Sequence, residues 1–233
     1  MWEVRLHPEV EAWFLDLCQT DATTADLVAE AIDVLVEQGP ALGRPLVDRL
    51  KGSNYHNMKE LRPGSAGSTE VRMIFAFDPA REAVFLVAGD KSRRWQTWYR
   101  SAIPLADARF AEHLAVGESR GAVMTEPANW RNVKAKARAA DPTWDSAERV
   151  ARRQQMREQM LAAVSGAQLA EIRQQLGLTQ VQLAEATGLS QARISQIENG
   201  DAVGLDTLRA YVGGLGGHLD IVARIGNIQL NVA

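Results

Sequence analysis

Residues 179–200 read TQVQLAEATGLSQARISQIENG, a stretch that leaves the backbone few choices. Thr179 has the side chain of a helix N-cap, and Gln182 follows at the three-residue spacing of a capping box. Leu183, Ala184 and Thr187 fall on one face of the helix that starts there. Gly188 supplies a turn in a left-handed conformation, which is cheap only for glycine. Ser190 caps a second helix, Ile194 and Ile197 form its inward stripe, and Asn199-Gly200 ends it. Ala184 is small enough to let the two helices cross closely. The outward side of the second helix carries Gln191, Ala192, Arg193, Ser195 and Gln196. A face built only for solubility would hold Glu and Lys. Gln and Arg instead make paired hydrogen bonds to adenine and guanine edges in the major groove.

Helix, tight turn and helix at these spacings resemble the helix-turn-helix of the phage-repressor (Cro/C1 or Xre) family, over roughly 55 residues. The resemblance implies operator-DNA binding and repression. It sets Ser190, Gln191, Ala192, Arg193, Ser195 and Gln196 towards the DNA, with Gln180 and Asn199 on flanking phosphates. Downstream, 218–224 and 228–232 alternate around Gly226-Asn227, which predicts a hairpin. An isolated hairpin is marginal, so a homodimer is expected, with recognition helices about 34 Å apart.

At 233 residues the chain is long enough for two domains. A small, polar, Gly-bearing stretch at 116–123 reads as a linker, and Met124 after it resembles an independent start. The expected division is 1–115, the linker 116–123, a helical segment 124–165, and a DNA-binding domain 166–233. The net charge of −3 conceals a local contrast. Residues 1–49 hold 3 basic against 10 acidic side chains, and 50–100 hold 9 against 5. The single cysteine, Cys18, excludes an internal disulfide and fits a reducing cytoplasm; it reads as a small core residue behind Phe14 and Leu15. No apolar run is long enough for a membrane span, and no signal-peptide core opens the chain. No Cys/His cluster has metal-ligand spacing, so neither metal nor cofactor is expected.

The first region predicts a strand at 2–6, a helix at 8–17 with Val10, Phe14 and Leu17 on one face, and a helix at 24–37 with Leu27, Ile32, Leu35 and Val36 inward. The period then changes from 3.6 to 2. Strands are expected at 58–62, 70–77 and 83–88, followed by a helix at 93–103 and a last helix opened by Pro104. Helices on one face of a small antiparallel sheet make an α+β domain; the second region is mainly α. The segments LKGSNYHNMKELRPG, EVRMIFAFDP and VAGDKSRRWQTWYRSAIPLAD, in that order, resemble the RelE/HigB toxin superfamily, Gp49-like branch. That resemblance implies an endoribonuclease cutting mRNA on the ribosome, with an antitoxin as partner.

Cutting RNA without a metal needs a base for the 2′-OH, an acid for the leaving oxygen and cations for the phosphorus oxygens. Alternation around Val71, Met73 and Phe75 turns Arg72 outward. Alternation around Leu61 puts Glu60 and Arg62 on the outer face. Arg62, Arg72 and Lys91 are the expected phosphate clamps, a role the resemblance supports. Glu60 is the candidate base, with His56 and Lys59 as substitutes, and Tyr99 or Trp98 stacks a base or donates a proton. Met58 and Glu60 stand where the RelE branch carries basic groups. Trp95 is expected in the core, and His7 and His113 at the surface or core edge.

In 129–164, Trp130, Val133 and Ala137 form one helical stripe. The helix at 145–164 is polar, with Val150, Met156, Met160 and Leu161 as a thin apolar line, which suits a partner surface. The expectation is toxin–antitoxin contact in cis or in trans, within a toxin fused to its antitoxin. The rival is a transcriptional regulator whose toxin-like half is an inactive binding module.

Overall fold

The computed structural model describes residues 2–67, 69–92, 95–118, 127–226 and 228–231. It divides into two compact units, Met1–Met160 and Leu161–Ala233.

The first unit is built on a six-stranded sheet. Its strands are β1 (Glu3–Leu6), β2 (Val47–Arg49), β3 (Met58–Leu61), β4 (Val71–Phe77), β5 (Glu82–Asp90) and β6 (Ala128–Asn129), in the order β2-β3-β4-β5-β1-β6. The α+β class holds, but the sheet is mixed. β2 to β5 pair antiparallel through short loops, whereas β1 lies parallel to β5. Two helices, α1 (Pro8–Thr20) and α2 (Ala22–Gln38), carry the chain away from β1 before β2 begins, and a long crossover of this kind permits parallel pairing.

One face of the sheet is covered by α3 (Trp95–Glu118), which buries Ala102, Ala106 and Phe110 against Met58, Ile74, Ala76, Val84 and Leu86. Sequence reading breaks this helix at Pro104; the structure continues through it. Pro104 and the residue whose carbonyl loses its partner, Arg100, are both exposed, so water can satisfy the orphaned oxygen. The expected linker lies largely outside the described residues, as does the Trp95 side chain.

The buried stripe of α1 is Val10, Phe14 and Cys18 rather than Val10, Phe14 and Leu17. α2 is buried nearly all round, including Thr24 and Asp26, because it is covered on a second side. That cover comes from α4 (Trp130–Ala140) and the first part of α5 (Ala147–Gln175). Trp130, Val133 and Ala137 are buried as the periodicity predicts. The Trp130 ring meets Phe14 edge-on at 5.1 Å.

α5 is one helix of 29 residues, longer than the sequence reading gives. In the second unit its last turns are followed by α6 (Gln180–Thr187), α7 (Gln191–Glu198) and α8 (Leu205–Gly214), around a core of Leu183, Ala184, Ile194, Ile197 and Tyr211. The capping box at Thr179 is complete, Gly188 has φ +70°, and Ser190 caps α7. A Cβ on Gly166 of α5 would lie 2.6 Å from the Ile197 carbonyl oxygen, so α5 and the end of α7 meet backbone to backbone. A hairpin of β7 (Val222–Ile225) and β8 (Ile228–Asn231) follows, with Ile225 and Ile228 exposed.

Candidate active site and DNA-reading helix

Glu60 is only 3 % exposed, contrary to the outer-face expectation. Alternation does turn it away from Leu61, but that face lies beneath α3. Tyr99, one turn into α3, donates its hydroxyl to Glu60 Oε2 at 2.7 Å. Arg62 donates Nε to Glu60 Oε1 at 2.7 Å, and its Nη2 also reaches Asp48 at 2.9 Å. The carboxylate is thus held from the strand on one side and from the helix on the other. Burial, reinforced by the hydrogen bond and charge of Glu60, pushes the Tyr99 phenol well above its usual range, so it stays protonated. Burial disfavours the Arg62 cation, but Glu60 and Asp48 outweigh it and raise its pKa.

Arg72 stands on the neighbouring strand, close enough for its charge to act on Tyr99. Its Nη1 donates to the Val71 carbonyl at 2.7 Å, while its buried Nε has no partner among the described residues. Opposite Arg72 in the register is Gly89. A Cβ there would sit 2.8 Å from Trp98 Nε1, so glycine admits the indole against the strand. Lys91 pairs with Glu70 across the strand ends at 3.2 Å. Lys59 is not brought to the cluster. It lies on the other face of β3, with its ammonium 5.9 Å from the centre of the Phe77 ring. His56 is exposed in the loop before β3.

His113 binds Asp78 at 2.9 Å, and with Glu82 these residues place potential ligand atoms within 4.8 Å of one another. Glu82 is meanwhile paired with Arg5 at 2.6 Å, so the trio reads as a polar network. Cys18 is buried, which pushes its thiol up to about 11. Among the described residues no helix is long and apolar enough to cross a membrane.

On α7, Gln191, Ala192 and Gln196 are exposed, Arg193 and Ser195 are half-buried, and Asn199 follows exposed at the C-cap. Gln191 donates to Gln180 Oε1 at 2.7 Å, and Arg193 to Gln196 at 2.9 Å. Gln180 in turn donates to Glu198 at 2.8 Å. Sequence reasoning missed what anchors this chain of amides. Glu198 is buried, takes two hydrogen bonds from Arg173 at 2.6 and 2.9 Å, and accepts one from Tyr211 at 2.9 Å. Burial works against the Glu198 charge, but these donors outweigh it and hold the carboxyl below its ordinary value. An acid among polar helix residues reads as solvated, so only Arg173 and Tyr211, brought in from other helices, reveal it.

Residues 15–111 match the family described as Phage derived protein Gp49-like, and residues 169–222 match a helix-turn-helix family. Over 106 residues the chain is 58 % identical to a Mycobacterium tuberculosis protein named as toxin HigB2, covering 46 % of this chain and 51 % of that one. It therefore spans about half the length of that relative. A second protein of the same organism, named as toxin HigB3, is 50 % identical over 112 residues, 48 % of this chain and 93 % of the relative. A third, named as antitoxin HigA3, is 44 % identical over 106 residues, 44 % of this chain and 93 % of the relative.

Proposed function

Because the chain belongs to the Gp49-like HigB toxin family through its first region and to the HigA helix-turn-helix family through its second, we propose that it is a toxin fused to its own antitoxin. The first region is a metal-independent endoribonuclease that cuts mRNA on the ribosome. The second holds it inactive and, as a homodimer, binds and represses its operator.

The observation that carries the nuclease reading is Arg72, a half-buried side chain beside Tyr99 whose buried Nε has no hydrogen-bond partner among the described residues. A donor that no protein group satisfies is costly, and a phosphate oxygen would satisfy it. Arg62 and Lys91 add positive charge. Glu60 takes the 2′-hydroxyl proton, and Tyr99, kept protonated, turns its hydroxyl from Glu60 to give its proton to the leaving 5′-oxygen. The deep burial of Glu60 favours a second arrangement, in which Glu60 only fixes Tyr99 and Arg62 while Arg72 and Tyr99 meet the RNA. On the DNA side, the Glu198–Gln180–Gln191 chain holds Gln191 ready to read a base.

Expression of residues 1–118 should arrest growth and cleave ribosome-bound mRNA, and expression of the full chain should not. Harmlessness of 1–118, with folded protein confirmed, would remove the nuclease.

A further inference from the structure

The first unit contains a second buried polar cluster, remote in sequence from Glu60 and Arg72. Asp26 on α2 has no solvent exposure. It accepts from Arg149 Nε at 2.8 and 3.0 Å and from Arg152 at 2.8 Å, with Arg153 at 3.6 Å. The pattern continues along both helices. Arg153 lies 3.5 Å and Arg157 3.6 Å from Glu30, and Arg157 also pairs with Glu37. Positions 149, 153 and 157 share a face of α5, as 26, 30 and 37 share a face of α2. The Trp144 ring lies 4.7 Å from the Arg149 guanidinium and 5.0 Å from that of Arg153, and Asp141 takes the other edge of Arg149. Among the described residues, Arg149 Nη2 and Arg152 Nε nevertheless have no hydrogen-bond partner.

We propose that Asp26 selects which antitoxin helix the α2 surface accepts. The partner it fits is a helix with arginines at i, i+3 and i+4, preceded by a turn that offers an indole and a carboxylate. A helix without those cations would bury Asp26 uncompensated, and a buried charge that loses its partner is a strong penalty against the wrong helix. The cluster is also asymmetric. Three guanidiniums converge on one carboxylate, so any one arginine is partly replaceable, whereas Asp26 is not. Removing Asp26 leaves Arg152 without an ion partner among the described residues. The words toxin and antitoxin rest on the reading above; the geometry of the lock does not.

The test uses the full chain and reads amide hydrogen exchange. Asp26→Asn should lower protection of Val150 and Met156 in α5 by about tenfold or more, while Ile74 and Val84 in the sheet keep theirs. Arg152→Gln should lower it by less than about threefold, and Asp26→Leu with Arg149→Met and Arg152→Leu, which removes the carboxylate and both guanidiniums hydrogen-bonded to it, should restore most of it. If Asp26→Asn does not fold, Arg149→Gln/Arg152→Gln/Arg153→Gln strips the cations without touching α2 and should lose the same protection. Unchanged α5 protection in these variants, or Arg152→Gln as damaging as Asp26→Asn, overturns the proposal. Growth arrest by the same variants reads the toxin assignment separately. Lost protection without arrest supports the lock and counts against the nuclease.

Discussion

Gly166→Ala sets two familiar effects against each other. Inside a helix, alanine is favoured over glycine by about 1 kcal/mol, so propensity alone predicts a more stable second unit. The packing predicts the reverse. The new Cβ would lie 2.6 Å from the Ile197 oxygen, 2.7 Å from the Glu198 oxygen and 2.7 Å from the Gly200 nitrogen, against ordinary contact at 3.4–4 Å. All three are backbone atoms, so no rotamer change relieves the clash, and the end of α7 must retreat by roughly 0.7 Å. Overpacking of this kind costs about 1–3 kcal/mol. With the propensity gain subtracted, a net loss of up to about 2 kcal/mol remains. Amide exchange at Leu183 and Ile194 should therefore quicken, by a factor of up to roughly 30. Gly213 in α8 is the control, since a Cβ there meets nothing within 4 Å. Gly213→Ala should slow exchange, by up to about 1 kcal/mol. If Gly166→Ala also slows it, the close approach of α5 to α7 is wrong.

Three further outcomes are expected. Arg72→Ala should leave the fold intact but reduce ribosome-dependent RNA cleavage by about 3 kcal/mol of transition-state stabilisation; wild-type cleavage would remove Arg72 from the site. Gln191→Ala should lose about 1–3 kcal/mol on operator DNA at fixed salt but little on scrambled DNA, and equal loss on both would count against base reading at that position. Glu198 has a depressed carboxyl in the folded chain, so its contribution is present above the ordinary value of 4.5 and is lost as the pH falls through the lower folded value. Denaturation followed at α6 and α7 amides should show that loss, and Glu198→Gln should flatten it; an unchanged slope would mean that other groups set it.

Local rules reach far into this sequence where neighbours along the chain decide the structure. Thr179, Gln182, Gly188 and Ser190 specify caps and a turn with no outside help, and each stands where expected. The reading fails where a second layer intervenes. Alternation gives the side of β3 on which Glu60 lies but not that α3 covers it. A proline inside a helical stretch signals a start until exposure shows that its orphaned carbonyl can be hydrated. The parallel place of β1 depends on a partner some 80 residues away in the chain. In the candidate site, Arg72 and Tyr99 were legible from their positions, whereas the pairing of Arg62 with Glu60, and Lys59 turning to the opposite face, needed the register.

The outer row of α2 has a bearing on colloidal behaviour. A surface covered in one state and bare in another faces a conflict, because large exposed apolar patches promote association. Here the row toward α5 presents Asp26, Glu30 and Glu37, with Asp33 taken by Lys134 at 2.7 Å. Much of the apolar contribution comes instead from the covering segment, through Trp130, Val133 and Ala137. If that segment were lifted away, α2 would turn a row of carboxylates to the water, and like charges on neighbouring molecules would repel one another. The uncovered domain would thereby be protected from clumping by the same acids that hold its cover.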